Sequence, residues 1–259
     1  MDDRTRNDEG LKMDPLVEVL DFKKSYGSKL VHKGVNFNLH KGEIVCLLGQ
    51  SGSGKSVFLR ALIGLEKPDS GTMRYKGQSM SSYSEEDWFK VRKEIAYAFQ
   101  NGALFDSFTV EENLLYPLDA HTNLSKAQKK KRVKEILELI GLQGTENLFP
   151  SDLSGGMQKR AGLARAIILD PEIILYDEPT AGLDPLNTRV IQDIMLDLKK
   201  RGKSGILVTH DMPTAIAVSE RISLLKDGKI VVSGTVAEMR KDKRIEEFMT
   251  GVTNGSTER

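Results

Sequence analysis

Three continuous apolar runs of strand length mark the chain: Ile44 to Leu48, Ile173 to Tyr176 and Gly205 to Thr209. Runs of this kind suit strands buried on both faces of a parallel sheet. Alternating stretches behave differently. Leu16 to Phe22 and Val35 to Leu39 switch between apolar and polar positions, which predicts a β-rich segment near the start, with Lys24-Ser25-Tyr26-Gly27 as a turn. Pro68-Asp69-Ser70-Gly71 and Lys76-Gly77-Gln78 are turns around a short strand, Thr72 to Tyr75. Ile95 to Phe99 is a further strand ending at Gln100, and Asp227-Gly228 joins two apolar runs as a hairpin. Helical spacing governs other segments: Val57 to Ile63 before Gly64, the Ser84-Glu85-Glu86-Asp87 start, and the side formed by Val190, Ile191, Ile194, Met195 and Leu198 after Asp184-Pro185. Between Asn101 and Leu153 the strand signal disappears. A short helix is predicted from Thr109 to Tyr116. A longer one is capped by Ser125-x-x-Gln128 and carries Val133, Ile136, Leu137 and Ile140 on one face; Thr235-x-x-Glu238 caps another short helix. Strands alternating with helices imply an α/β fold with a largely parallel sheet and ligands at the strand carboxyl ends.

Composition narrows the function classes. The 259 residues carry 38 Lys+Arg against 37 Asp+Glu, a net charge of +1, which disfavours a general nucleic-acid binder. Lys129-Lys130-Lys131-Arg132 is read as a solvated helix face, because four charges are too few to argue for lipid or nucleic acid. The single cysteine, Cys46, lies in an apolar run and reads as a core residue, in keeping with a reducing compartment. The polar start excludes a secretory signal, and no stretch approaches the ~18 apolar residues of a membrane span. A cytosolic protein is expected, with any membrane role arriving through a partner.

The chemistry begins at Gly49-Gln50-Ser51-Gly52-Ser53-Gly54-Lys55-Ser56, which fits G-x-x-x-x-G-K-[ST] between a strand and a helix. Glycines let successive N–H groups face inward, and these donors with the helix dipole cradle phosphate oxygens. Lys55 would reach the β- and γ-phosphates, and the Ser56 hydroxyl would ligate Mg²⁺. Asp177 ends an apolar strand, where a carboxylate needs a cationic partner; it is expected to hold Mg²⁺ through water. Glu178 follows it, placed to polarise an attacking water. Leu153-Ser154-Gly155-Gly156-Met157-Gln158 puts a serine and two glycines at a helix N-terminus, a second anion site about a hundred residues from the first.

Two phosphate-binding elements at this separation resemble the ATP-binding-cassette (ABC) nucleotide-binding domains, and the likeness runs from Leu16 to Gly251. It implies a P-loop ATPase with a mostly parallel core, an N-terminal antiparallel β part and a helical subdomain inserted at about residues 101–165, flanked by flexible termini at 1–14 and 252–259. In that family ATP is sandwiched between the phosphate loop of one subunit, here Gly49 to Ser56 with Val57, and the LSGG motif of another, here Ser154, Gly155 and Gly156. The resemblance therefore implies a homodimer. It also assigns Tyr26 to adenine stacking, Gln100 to the Mg²⁺ shell and transporter sensing, Asp184 to the D-loop, and His210 to the γ-phosphate. His32, His40 and His121 fall in no such position and are expected at the surface. Met157 departs from the common LSGGQ. Phe99 to Asp106, Tyr116-Pro117-Leu118, LSGGM itself and Arg244-x-x-x-Phe248-x-x-Gly251 are similar to the ATPases of MCE-type phospholipid transporters. That likeness implies an integral permease, an MCE-domain lipid-binding protein and a small regulatory subunit as partners, no nucleic acid, and a place on the cytoplasmic face of the inner membrane. Ala103, Leu104, Phe105 and Phe108 would then either form a wall of the permease groove or pack inside the helical lobe itself. Other transporter ATPases share every nucleotide motif; soluble ABC proteins usually carry two cassettes, and no internal repeat is visible here.

Overall fold

The computed structural model describes residues 14–250. The chain opens with the strands β1 (Val17–Tyr26), β2 (Lys29–Leu39) and β3 (Ile44–Leu48), then the helix α1 (Lys55–Leu62). There follow β4 (Ser70–Tyr75), β5 (Gln78–Ser79), α2 (Glu85–Glu94) and β6 (Ile95–Ala98). The stretch up to the next strand, β7 (Ile173–Asp177), is helical: α3 (Val110–His121), α4 (Lys126–Leu139) and α5 (Gly155–Ile167). The last part alternates again, through α6 (Pro185–Lys200), β8 (Ser204–Thr209), α7 (Met212–Val218), β9 (Arg221–Lys226), β10 (Lys229–Thr235), α8 (Val236–Met239) and α9 (Lys243–Thr250). The chain has the α/β fold expected of a P-loop ATPase.

Two sheets divide the strands. One is antiparallel, in the order β2-β1-β4-β5; the other runs β10-β9-β3-β8-β7-β6 and is parallel except where β10 folds back on β9. Strand parity builds two cores from the parallel sheet. Val45, Leu47, Ile173, Leu175, Ile206 and Val208 face the antiparallel sheet, with Phe58 and Leu59 of α1 between. Ile44, Cys46, Leu48, Ile174, Tyr176 and Leu207 face the opposite core, shared with α3, α4, α5 and α6. Because β3, β8, β7 and β6 point the same way, the loops after Leu48, Thr209, Asp177 and Ala98 all emerge at one edge.

Local signals hold with a few shifts. Ser84, Thr109, Ser125 and Thr235 each accept from the backbone three residues on, closing capping boxes. The turn expected at Lys24 to Gly27 moves: β1 continues to Tyr26, which pairs with Lys29 across Gly27-Ser28. The helix expected to end at Tyr116 runs on through Pro117 to His121, anchored by the buried Leu114 and Leu118. The basic run on α4 is partnered within the chain, as a solvated face should be. Lys129 pairs with Asp119 at 2.6 Å, Lys130 with Glu111 at 3.8 Å, and Arg132 Nε donates to Ile168 O at 3.0 Å. His32 is a correction. It is fully buried, packed against Phe22 and Phe58, and out of phase with the inward Val35, Phe37 and Leu39 because the β1–β2 register shifts around Gly34, whose φ is 102°. His40 and His121 are half-buried. The tails expected at 1–14 and 252–259 lie outside the described residues, save Asp14.

Candidate functional site

The loop between β3 and α1 is set by backbone that only glycine adopts at ease. Gly52 and Gly54 have φ of 76° and 98°. A Cβ at Gly54 would come within 2.6 Å of Val31 Cγ1 and 2.9 Å of His32 Nε2. The His32 ring sits behind the loop, its Nε2 3.1 Å from Gly54 O. As Gly54 O is an acceptor, Nε2 carries the proton, and burial pushes the imidazole below its ordinary pKa, so the ring is neutral.

Lys55 opens α1 and is buried. Its Nζ donates to Gly49 O at 2.8 Å and Gln50 O at 3.0 Å, and lies 3.1 Å from Glu178 Oε1. One residue on, Ser56 Oγ donates to Asp177 Oδ1 at 2.8 Å, while the Tyr97 hydroxyl donates to Asp177 Oδ2 at 2.6 Å. Burial and then the Asp177 carboxylate push the Tyr97 phenol upward, so it keeps its proton. Glu178 follows at φ 48°, a strained value for a residue with a side chain, and its N–H donates to Val208 O at 2.9 Å. That twist turns the carboxylate back over the loop. Glu178 Oε2 accepts from Thr209 Oγ1 at 3.1 Å and lies 3.0 Å from His210 Nδ1. Three sheet strands thus converge on one carboxylate pair.

A cavity of about 380 Å³ opens over these groups. Tyr26, Ser51, Gly52, Gly54, Lys55, Ser56, Val57, Gln100, Glu178 and His210 line it. Tyr26 is half-exposed at its rim, with Lys24 Nζ 5.1 Å from the ring centre. Gly49, Gln50 and Ser53 belong to the same loop; the Ser53 hydroxyl is buried without a hydrogen-bond partner. An orphan donor, inward glycines and the start of α1 fit a phosphate chain. The set also fits Mg²⁺. Among the described residues no three His, Cys, Asp or Glu side chains form a metal cage. Mg²⁺ instead takes one or two carboxylates plus substrate phosphates, and Ser56 beside Asp177 offers such a hard-oxygen pair.

Other expected residues gather elsewhere. Ser154 caps α5, and Gly155 is exposed with nothing within 4 Å of a built Cβ. Gly156 abuts Asn187, whose N–H and Nδ2 donate to Asp184 at 2.9 and 2.6 Å. So the α5 and α6 N-termini form one surface, and neither lines the phosphate cavity. Lys159 on α5 ties this surface to the segment after Glu178 through Ala181 O. Four contributors escape motif reading: His32, Tyr97, Lys159 and Thr209. Parity carried no signal for His32, which is out of phase with Val35, Phe37 and Leu39, and Tyr97 shares a strand face with Leu175 only through the β6–β7 register.

Comparison with known proteins identifies the family. The ABC transporter family model matches residues 32–181. The chain is 40% identical over 227 residues to the probable ribonucleotide transport ATP-binding protein mkl of Mycobacterium tuberculosis, covering 87% of this chain and 63% of that protein. It thus spans under two thirds of the mycobacterial relative. The intermembrane phospholipid transport system ATP-binding protein MlaF of Escherichia coli K12 is 35% identical over 243 residues, covering 93% of this chain and 90% of MlaF. Among solved structures, the post-hydrolysis dimer of the ATP-binding cassette MJ0796 bound to ADP and Pi superposes with a TM-score of 0.79 at 33% identity, covering 85% of this chain and 98% of that one. On the family match and on these relatives, the chain belongs to the ABC transporter family.

Proposed function

We propose that this chain is the ATP-hydrolysing subunit of a membrane transporter whose cargo is phospholipid. The observation that carries the reading is the Glu178 carboxylate, held over the phosphate loop between Lys55, Thr209 and His210. ATP phosphates compete for Lys55, because an oxyanion chain outbids one carboxylate for the ammonium group. Glu178 Oε1 is then free to accept a proton from water, while Thr209 and His210 keep its other oxygen fixed. Mg²⁺, held by Ser56 and Asp177 with Gln100 near its shell, would neutralise charge on the transferred phosphate. Tyr26 stacks on the base, Gly49, Gln50, Ser51, Gly52, Ser53 and Gly54 cradle the phosphates, and Val57 lines the α1 side.

Ser154, Gly155, Gly156 and Asp184 act on the nucleotide of a second copy, since none of them lines the chain's own cavity. Phe105, Phe108 and Tyr116 form an aromatic cluster, with ring centres 5.2 to 6.2 Å apart, and Phe99, Phe105 and Tyr116 are well exposed. This patch suits the permease. An MCE-domain protein and a small regulatory subunit would complete the complex at the cytoplasmic face of the inner membrane. Among the described residues no helix is long and apolar enough to cross a membrane. The phospholipid cargo rests on MlaF and on the LSGGM and Arg244–Phe248 segments. Arg244 Nη1 donates to Val231 O at 2.8 Å and Phe248 packs on the larger core; Gly251 lies outside the described residues. A ribonucleotide cargo is the second reading, favoured by the name of the mycobacterial relative. Tagged Glu178→Gln protein, pulled with ATP from mild-detergent membranes and read by mass spectrometry of proteins and lipids, tests the choice. A permease with an MCE-domain protein and phospholipid is expected; a permease without them would contradict the cargo.

A further inference from the structure

The aspartate that ends β7 is fixed by two donors, and one of them comes from outside the nucleotide-binding loops. Ser56 Oγ reaches Oδ1 from α1, and the Tyr97 hydroxyl reaches Oδ2 from β6. The pairing is built into the sheet. Tyr97 lies opposite Leu175 in parallel register, so its side chain stands on the face that Asp177 shares two residues further along. The Phe99 ring packs on the phenol, 4.3 Å away between centres. Asp177 is buried, so an oxygen without a donor there would be costly.

We propose that Tyr97 is a positioning residue for the carboxylate that would hold Mg²⁺: its hydroxyl occupies Asp177 Oδ2 and fixes the orientation in which Oδ1 lies beside Ser56. The inference rests on the nucleotide–Mg²⁺ reading of the site. A carboxylate with one oxygen tied down keeps a single orientation, so less freedom is lost when the metal arrives. Outer partners of this sort change metal affinity by about 10- to 100-fold when removed. Tyr97 does not line the nucleotide cavity, so the effect should fall on the metal and spare the nucleotide. Because β6 leads directly to Gln100, the same contact ties the strand before that glutamine to the metal carboxylate.

Tyr97→Phe in the full chain removes one oxygen atom and keeps the ring. A fluorescent ATP analogue titrated in EDTA, and again at stepped Mg²⁺ concentrations, separates the two affinities. Nucleotide binding in EDTA is expected to match the wild type, while the Mg²⁺ concentration giving half the metal-dependent gain rises about tenfold. Phe99→Leu keeps the hydroxyl and removes the ring packed on the phenol; the same midpoint should rise, by less. If Tyr97→Phe lowers affinity equally with and without Mg²⁺, or leaves the midpoint unmoved, the positioning role is overturned. Wild-type protein whose nucleotide affinity ignored Mg²⁺ would instead overturn the underlying metal-site reading, and the proposal with it.

Discussion

The phosphate loop and the α5–α6 surface differ in how far one chain completes them. Around Lys55 nearly every polar atom has a partner: its ammonium has three, Asp177 has a donor on each oxygen, and Glu178 is held from three sides. The N-terminus of α5 has its serine cap and then stops. Gly155 is bare, and the N–H groups of the first turn have no side-chain acceptor beyond that cap. Under the proposed function, this open helix start receives an anion from a second copy. The contrast supports the proposed reading, in which the chain carries two half-sites, each completed by the other in a second copy.

Substitutions should separate the halves. The largest effect is expected from Glu178→Gln, which keeps shape and loses the base. Turnover measured by phosphate release should fall by about 10²- to 10⁴-fold with ATP binding retained; near-normal turnover would remove Glu178 from the role. Lys55→Ala should cost about 10- to 100-fold in nucleotide affinity, the worth of charged hydrogen bonds to phosphate, read by calorimetric titration. In the other half, Gly155→Ala meets open space, so thermal stability should stay within about 0.5 kcal/mol while turnover drops about tenfold. Gly156→Ala is the counterpart. Its Cβ would come within 2.6 Å of Asn187 Cγ, so it should destabilise the fold by about 1 to 3 kcal/mol in a urea titration.

The smallest effect concerns His32. Burial holds its native pKa below the ordinary value of 6.5, so between the two values the unfolded chain binds more protons. Its contribution is therefore intact above about pH 6.5 and declines as pH falls toward the native value. Unfolding free energies of wild type and His32→Gln, compared at about pH 7.5 and pH 5.5, should show the shallower pH slope in the variant.

Much of this was legible in the chain because local rules and the global fold agree. The buried runs became β3, β7 and β8, the capping signals at Ser125 and Thr235 placed helix starts, and Asp227-Gly228 made its hairpin. The phosphate loop, Asp177, Glu178, Gln100 and His210 could be named from motifs, and the sheet brings their loops to one edge. What escaped was set by register between distant strands. Tyr97 meets Asp177 through the β6–β7 pairing, and His32 is buried by a sheet that packs over α1; neither neighbour is visible in the spacing of the sequence. Glu178 was expected as a base from its place after Asp177, but its left-handed backbone, with the N–H donating to Val208 O, has no signal in the sequence.

The most direct test of two half-sites joined between copies is complementation. Lys55→Ala breaks the phosphate loop and Gly155→Asp blocks the helix start; each variant alone should be nearly inactive. Co-expressed in equal amounts, half the dimers are mixed, and each mixed dimer holds one site with both halves intact. Turnover of roughly a quarter of the wild-type value is then expected. Activity no higher than that of the two variants alone would contradict a shared site.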